Sequence, residues 1–396
     1  MIMVNRKEYL EKLKKLKDKQ IIKVVTGVRR CGKSTLLKQF RDYLMNECGV
    51  TQEQIIFINF EDLAYEHLLD YKALYQYITE RLCENKKNYI FLDEIQAVSN
   101  FQKTVDSLFI KDNVDLYITG SNAHLLSGEL ATLLSGRYAE ISILPLSFAE
   151  YYELLGGNKR DAWQNYFKYG GFPYAANLEE DDRRTDYLSG IYHTVLLKDI
   201  VARKKVQDVM LLESVVKFLF DNIGNIVSSK KISDSLVSNG RKTTSATIEN
   251  YIEALTESFI LYKTNRYDVK GKQHLKSLEK YYLVDVGLRR LLLGDKNADI
   301  GHILENIVYL ELIRRGYKVA IGKIGDLEID FIAEYNGEKI YYQVAASVLS
   351  PETFAREIAP LQKVTDNYPK FIISMDEISI NEDGIKQINI IDFLMQ

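Results

Sequence analysis

The stretch TGVRRCGKST, residues 26–35, fits the pattern glycine, four residues of any type, glycine, lysine, serine or threonine. It follows the apolar run IIKVV and precedes KSTLLKQFRDYLMNE, in which apolar residues recur with helical spacing. A phosphate-binding loop (Walker A) has this pattern between a strand and a helix. The sequence therefore predicts nucleotide binding by Gly27, Val28, Arg29, Arg30, Cys31, Gly32, Lys33, Ser34 and Thr35.

The residue types in this loop match the chemistry of phosphate binding. Glycines let the backbone wrap around phosphates with successive N–H groups pointing inward, and the following helix presents its positive end to the anion. We expect Lys33 to reach the β- and γ-phosphates, the Ser34 hydroxyl to ligate Mg²⁺, and Thr35 to contact the α-phosphate.

Short apolar runs alternate with helical patterns between residues 20 and 145. The predicted strands are residues 21–27, 55–60, 88–96, 115–121 and 138–146. Such alternation indicates βαβ units and a mostly parallel sheet. The runs are apolar almost throughout, which is typical of strands in a sheet that is covered on both faces.

Two acidic residues, Asp93 and Glu94, end the third predicted strand in the sequence YIFLDEIQ. We expect Asp93 to hold Mg²⁺ directly or through water, and Glu94 to polarise the attacking water as a general base. An isolated acidic pair after a strand would be only a solvated strand end. Together with the loop, the pair (Walker B) predicts hydrolysis as well as binding.

Residues near the last two strands complete the predicted site. The sequence YITGSNAHLL places Ser121 and Asn122 where a polar side chain would lie beside the loop and orient the water. Arg137 directly precedes the fifth strand and could reach a γ-phosphate across a subunit boundary, offsetting developing charge. The alternative for Arg137 is a surface or salt-bridged arginine.

With these motifs the chain resembles the predicted AAA+ ATPases of bacteria and archaea that carry a C-terminal domain of unknown function. The segments that carry the resemblance are TGVRRCGKST, FLDEIQ, ITGSNAHLLSGELATLLSGRYAEISILPLSFAEY, YGGFP and LLKDIVAR. Arg29 and Arg30 match the paired arginines usual in the loop of that family, and Arg137 matches its Gly-Arg before the last strand. The resemblance implies ATP and Mg²⁺ as cofactors.

The resemblance also implies an α/β fold class: a P-loop NTPase parallel sheet, a helical and winged-helix region, and a small C-terminal α/β domain similar to restriction endonucleases. The sequence pattern changes after Pro145. We therefore expect an ATPase core at residues 1–146, a helical lid at 147–211, a winged-helix-like domain at 212–295 and a nuclease-like domain at 296–396. A role for Arg137 across subunits would require a homo-oligomer, and a role within one chain stays open.

The third of these parts contains three helical patterns followed by two strands, the order of a winged helix. Basic residues that could contact phosphates precede its second and third helices. They are Lys230, Lys231, Arg241 and Lys242. The third helix, IENYIEALTES, contains three glutamates, which disfavours insertion beside a phosphate backbone. The sequence leaves two partners open for this region, DNA and a protein.

The last part has an incomplete nuclease pattern. Nucleases of the restriction-endonuclease fold use a helix glutamate, a hairpin aspartate and a Glu-x-Lys strand to hold Mg²⁺ and activate water. Glu305 lies on a predicted helix, and Asp330 ends DLEID in a predicted hairpin. Gln343 and Ala345 take the carboxylate and lysine positions of the next strand. Because alanine cannot position water, we expect no nuclease activity.

Composition and charge bear on the partners and the location expected for the protein. A net charge of -3 gives no overall basic signature of a nucleic-acid binder. Three cysteines without CxxC spacing indicate reduced thiols and a cytoplasmic protein. No run of about 18 apolar residues occurs, so we expect no transmembrane helix and no membrane partner. The leading hypothesis is an Mg²⁺-dependent ATPase that drives a conformational change; the alternative is a nucleotide-gated protein-interaction switch with slow hydrolysis.

Overall fold

The computed structural model describes residues 4–121, 123, 136–204, 206–271, 273–294 and 300–396. The chain divides into two compact units. The first comprises residues 3–144 and 257–259, and the second comprises chiefly residues 145–256 and 260–396. Within the described ranges, no helix is both long enough and apolar enough to cross a membrane.

The first unit is built on a five-stranded parallel sheet. Its strands are β1 (Ile22–Thr26), β2 (Ile55–Asn59), β3 (Asn88–Asp93), β4 (Val114–Gly120) and β5 (Tyr138–Ser142). Their spatial order is β2-β3-β4-β1-β5, and every neighbouring pair is parallel. This confirms the predicted α/β fold with a parallel sheet. Because β3, β4 and β1 are neighbours, their carboxyl ends meet at one edge of the sheet.

Helices cover both faces of this sheet. They are α1 (Lys7–Leu16), α2 (Lys33–Asn46), α3 (Tyr71–Thr79) and α4 (Phe101–Phe109), with short 3₁₀ turns at Gln52–Gln54, Leu63–Leu68 and Ile95–Ala97. The side chains of successive β3 residues point toward opposite faces of the sheet. Ile90 and Leu92 pack in a cluster with residues of α3 and α4, whereas Phe91 contacts Phe40 of α2.

The second unit begins with helices. They are α5 (Phe148–Leu155), α6 (Lys159–Tyr169), α7 (Pro173–Ala176), α8 (Asp181–Ile191), a π-helical segment (Tyr192–Asp199) and α9 (Ile200–Lys204). The YGGFP segment separates α6 from α7. A Cβ atom on Gly170 would lie 1.9 Å from Asp285, and one on Gly171 would lie 2.3 Å from the Leu146 carbonyl oxygen. Close packing therefore explains this glycine pair.

Helices and short strands alternate in the middle of the chain. The elements are α10 (Val209–Asp221), β6 (Ile226–Val227), α11 (Ser229–Ser238), α12 (Ser245–Glu257), β7 (Leu261–Asp268), β8 (Gln273–Leu283) and α13 (Val286–Leu293). Strand β8 pairs antiparallel with both β6 and β7. Three helices thus precede the β7–β8 pair, in the order that the sequence indicated.

The C-terminal elements extend the same sheet. They are α14 (Ile300–Arg314), β9 (Lys318–Ile324), β10 (Leu327–Tyr335), β11 (Glu338–Val344), α15 (Pro351–Gln362), β12 (Lys370–Ser374), β13 (Asn381–Glu382), β14 (Ile385–Asn389) and α16 (Ile390–Leu394). The order β13-β14-β12-β11-β10-β9-β7-β8-β6 mixes parallel and antiparallel pairs. Because β7 pairs with β9, one sheet runs through both residues 212–295 and 296–396.

Candidate functional site

The glycine-rich loop joins β1 to α2. Two of its glycines have backbone conformations that residues with a side chain rarely adopt. Gly27 has φ 144°, and a Cβ atom there would lie 2.2 Å from the carbonyl oxygen of Ile143. Gly32 has φ 105° and is the N-cap of α2. The loop can therefore turn this tightly only with glycine at both positions.

The start of α2 favours a bound anion. Its N-cap provides no side chain to accept hydrogen bonds, and its first turn contains no acidic residue. Lys33, the first helical residue, is buried, and its Nζ donates to the carbonyl oxygens of Gly27 at 3.1 Å and Val28 at 3.3 Å. The ammonium group thus lies within the loop, at the positive end of the helix dipole.

Thr119, near the end of β4, holds the two acidic residues that end β3. Its hydroxyl donates to Asp93 Oδ1 at 2.6 Å and accepts the Glu94 N–H at 2.8 Å. All three residues are buried. Glu94 has φ 57° and ψ 45°, in the left-handed region that residues with a Cβ atom seldom occupy. The Thr119 hydroxyl therefore fixes an unfavourable backbone conformation at Glu94.

Three donors converge on the Glu94 carboxylate. Lys33 Nζ lies 3.3 Å from Oε1, and Oε2 accepts from Ser121 Oγ at 2.9 Å and from Gln96 Nε2 at 2.5 Å. Burial alone would raise the pKa of Glu94, but the charge of Lys33 and these hydrogen bonds lower it overall. Glu94 is therefore ionised at neutral pH, the state that a general base requires.

Asp93 has the properties of a metal ligand. Its Oδ2 is buried and has no hydrogen-bond partner among the described residues, although buried polar atoms are normally paired. Burial raises the pKa of Asp93, and the Ser34 and Thr119 hydroxyls oppose that rise. A divalent cation would satisfy the orphan oxygen, and carboxylate and hydroxyl oxygens are ligands suited to Mg²⁺. The residues present therefore fit this ion.

The remaining loop residues occupy three different environments. Arg29 is half-buried, and its Nε donates to Ser121 Oγ at 3.3 Å, which links the loop to the Glu94 cluster. Arg30 is exposed, with φ 66°. Cys31 is fully buried, and burial raises the pKa of its thiol. A buried, protonated thiol packs and does not react.

Arg137 is engaged in a salt bridge with Asp106 in this chain. Its Nη1 lies 2.7 Å from Asp106 Oδ1, and its guanidinium carbon lies 5.7 Å from the centre of the Phe109 ring. Both members of the ion pair are nearly half exposed, at 47% and 43%. Contact with a nucleotide would require this exposed bridge to open. Asn122, the other residue expected to orient water, lies outside the described residues.

The acidic residues of the nuclease-like pattern surround a lysine that the pattern did not indicate. Lys280, on β8, is 3% exposed, and its Nζ lies 3.0 Å from Glu305 and 2.7 Å from Glu328. The Tyr282 hydroxyl donates to Glu305 at 2.5 Å. Burial alone would raise the pKa of Glu305, but the charge of Lys280 and the hydrogen bonds from His302, Tyr282 and Lys280 together lower it. Burial and the charge of Glu305 raise the pKa of Asp330 well above its usual range.

Gln343 and Ala345, at the other two positions of the nuclease-like pattern, both make contacts of other kinds. The Gln343 side chain accepts the Asp330 N–H at 3.3 Å and donates to Glu357 at 3.0 Å, and Ala345 is part of the apolar core. Within the described residues, no group of three or more His, Cys, Asp or Glu side chains could hold a metal ion. Lys280 supplies the countercharge that a cation would otherwise provide.

The sequence-based predictions missed several residues of these two clusters, among them Thr119, Gln96, Lys280 and Tyr282. Thr119 is a polar residue near the end of a buried strand, which is a readable signal because catalytic side chains collect at such ends. Gln96 lies two residues after Glu94 and has no distinguishing pattern. Lys280 precedes Glu305 by 25 residues, and the folded arrangement of β8, helix α14 and β10 brings it to the acidic residues.

Comparison with known families assigns most of the chain. Residues 19–152 match the family model described as an AAA domain, and residues 160–299 match a domain of unknown function (DUF8612). A Haemophilus influenzae protein described as uncharacterized is 44% identical over 401 residues, which cover 100% of this chain and 99% of that protein. An uncharacterized protein of Methanocaldococcus jannaschii is 29% identical, in an alignment that covers 94% of this chain and 85% of that protein.

A solved structure supports the fold. The Walker-type ATPase PABY2304 of Pyrococcus abyssi superposes with a TM-score of 0.53 at 15% identity, covering 73% of this chain and 96% of that chain. At this identity the similarity concerns the fold alone. The matches to the AAA domain and to the domain of unknown function, together with the five-stranded parallel sheet, show that the chain belongs to the AAA+ ATPase family in which these two domains are joined.

Proposed function

We propose that the chain binds ATP with Mg²⁺ and hydrolyses it, and that hydrolysis drives a conformational change in the rest of the protein. One observation carries the proposal: Lys33 of the loop, Glu94 at the end of β3 and Ser121 after β4 form one buried, hydrogen-bonded cluster. These residues come from three separate segments. Their convergence beside a phosphate-binding loop is what hydrolysis requires and what binding alone would not need.

Each residue of the site has a proposed task. The N–H groups of residues 27–35 and the Lys33 ammonium would bind the phosphates. Asp93 and Ser34 would hold Mg²⁺, which supplies neutralisation of phosphate charge when bound. Glu94 would accept a proton from the attacking water, and Ser121 and Asn122 would orient the reacting groups. The hydrogen bond that Ser121 donates to Glu94 at 2.9 Å supports this role.

Two arginines are candidates for offsetting charge in the transition state. Arg29 would act within one chain, since it is half-buried and donates to Ser121. Arg137 would act from a neighbouring subunit of a homo-oligomer. Its exposed bridge to Asp106 is a small obstacle, because such surface pairs contribute at most about 1 kcal/mol.

The rest of the chain would respond to the nucleotide. We assign residues 147–211 as a helical lid, 212–295 as a winged-helix-like module and 296–396 as a nuclease-like domain without cleavage activity. In the module, Lys230, Lys231, Arg241 and Lys242 are half-buried or exposed, which supports DNA contact. The glutamates of α12 support a protein partner instead. A cytoplasmic location remains a prediction.

A nucleotide-gated protein-interaction switch is the second candidate. The observation that favours it is the full set of donors on Glu94, namely Lys33, Ser121 and Gln96. A carboxylate whose pKa is lowered by such partners is a weak base, so hydrolysis would be slow. The protein would then present its C-terminal domains to a partner for as long as ATP remained bound.

Phosphate release by the purified protein tests the first proposal. We expect Mg²⁺-dependent turnover that is lost in Lys33→Ala and strongly reduced in Glu94→Gln, with nucleotide affinity largely kept in Glu94→Gln. Lys38→Ala is the matched control, because Lys38 is an exposed lysine of the same helix. Normal turnover in Lys33→Ala would refute the proposal.

Adding DNA separates the two candidates. Stimulation of hydrolysis by DNA favours an ATPase that works on nucleic acid, whereas slow turnover unaffected by DNA favours the switch. Sizing the protein with and without ATP and DNA shows whether subunits associate, which the proposed role of Arg137 across a subunit boundary requires.

A further inference from the structure

Arg6, directly before α1, contacts the backbone of the nucleotide-binding loop at Cys31. It is 3% exposed, which is rare for arginine unless its donors are engaged. Its Nη1 donates to the carbonyl oxygen of Cys31 at 3.0 Å, and its Nη2 donates to that of Leu144 at 2.8 Å. Tyr9 supports the guanidinium from one side, with its ring centre 4.8 Å from Cζ, and its hydroxyl accepts the Leu144 N–H at 3.3 Å.

The hydrogen bond from Arg6 to the Cys31 carbonyl fixes the direction of the next N–H group in the loop, that of Gly32. A trans peptide is planar, so its C=O and N–H groups point in opposite directions, and the described residues contain no cis peptide. With the Cys31 carbonyl held at Arg6, the N–H of Gly32 must point away from Arg6. That N–H belongs to the phosphate-binding segment.

Glycine at position 32 leaves the Cys31–Gly32 peptide able to rotate. Gly32, with φ 105°, accepts positive and negative φ values equally well. Rotation of the Cys31–Gly32 peptide would present a carbonyl oxygen to the phosphates in place of an N–H. The two acceptors at Cys31 and Leu144 are backbone carbonyls, so this restraint depends on the two-pronged guanidinium rather than on any side chain of the loop.

The second hydrogen bond anchors the loop to the end of the first unit. Leu144 is the last residue of that unit before Pro145 begins the second. The preceding residue, Ile143, donates its N–H to the Thr26 carbonyl at 2.8 Å, and its own carbonyl covers Gly27. Both ends of the glycine loop are therefore attached to residues 143–144, one of them through Arg6.

We propose that Arg6 is a positioning residue of the nucleotide site, which keeps the Gly32 N–H turned toward the phosphates by holding the Cys31 carbonyl against Leu144. This inference rests on the proposed ATP binding. It predicts that loss of the guanidinium loosens the loop even without nucleotide and weakens binding of Mg²⁺-ADP. A merely structural arginine would affect stability without these two effects.

The test uses the full chain with Arg6→Met, Arg6→Lys and the control Arg81→Met, which removes an arginine that is about half exposed. Two quantities are measured: amide hydrogen exchange of residues 27–35 without nucleotide, and the equilibrium affinity for Mg²⁺-ADP. For Arg6→Met we expect exchange to accelerate and affinity to fall, each on the order of tenfold or more. Arg6→Lys should show smaller changes, and Arg81→Met none.

A folded Arg6→Met protein with wild-type exchange and wild-type ADP affinity would overturn the inference. If Arg6→Met does not fold, Arg6→Lys decides, because one ammonium cannot reproduce the two-pronged contact; wild-type values there would also overturn it. Wild-type protein that binds no ADP refutes the proposed function instead. The exchange measurement still tests Arg6 in that case, since it uses protein without nucleotide.

Discussion

Replacing Thr119 by valine removes one hydroxyl and changes little else in shape. That hydroxyl makes the two hydrogen bonds to Asp93 Oδ1 and from the Glu94 N–H, at 2.6 and 2.8 Å. Without it, a buried carboxylate oxygen and a buried N–H lose their partners. An unpaired buried group costs about 1–3 kcal/mol, so we expect the free energy of unfolding of the first unit to fall by roughly 2–6 kcal/mol.

The same change should reduce hydrolysis. The Glu94 backbone occupies the left-handed region, and such conformations persist only where the surroundings enforce them. Once its N–H is released, the Glu94 carboxylate should leave the position it shares with Lys33 and Ser121. We expect phosphate release at saturating ATP to fall on the order of tenfold or more, measured below the unfolding temperature of the variant.

Thr104→Val is the matched control for this prediction. Thr104 is 1% exposed, and its hydroxyl donates to the Tyr71 carbonyl at 2.7 Å, among the helices of the same unit. The control therefore loses one buried hydrogen bond, worth about 1 kcal/mol, and should hydrolyse ATP normally. Equal turnover in the two variants would show that Thr119 does not position Glu94.

Three further predictions concern charged groups elsewhere. Lys280→Met should lower the free energy of unfolding by about 3–5 kcal/mol in denaturant titrations, and adding Glu305→Gln should restore part of it; an unchanged midpoint would contradict the role of Lys280. Burial raises the pKa of Asp285 to about 7. The folded chain therefore binds more protons than the unfolded one between about pH 4 and 7, so the free energy of unfolding should fall as pH rises through that range. Asp285→Asn should flatten this dependence of the free energy of unfolding on pH. Arg137→Ala should change stability by less than about 1 kcal/mol but abolish any rise of specific ATPase activity with protein concentration.

The glycine loop and the acidic pair were predictable because their signals are local. Gly27 and Gly32 are required by backbone conformation at fixed spacing, and Asp93 and Glu94 directly follow a buried strand. The parallel sheet then brings these segments together without further information, since the carboxyl ends of neighbouring parallel strands meet. Fold class and the position of the candidate site both follow from this one regularity.

The partners of these residues were harder to predict because they depend on strand register and on distant segments. Leu92 of β3 is aligned with Ile118 of β4, and this alignment brings Thr119 beside Asp93. If β4 were shifted by one residue relative to β3, Ile118 or Gly120 would lie beside Asp93 instead of Thr119. The sequence does not specify this register. The contacts of Lys280 depend on a helix and a strand that lie far from it in the chain, and no local pattern encodes them.

The two acidic clusters of this chain have similar ingredients: carboxylates, one buried lysine and a hydroxyl donor. They differ in whether a buried oxygen is left without a partner. Asp93 Oδ2 is such an atom, whereas no buried carboxylate oxygen around Lys280 is unpaired among the described residues. A saturated cluster gains little from a cation, because its charge is already compensated and its ligands would first have to break existing bonds. Hydrogen-bond satisfaction, which composition and spacing do not reveal, therefore distinguishes the candidate metal site from the saturated cluster around Lys280.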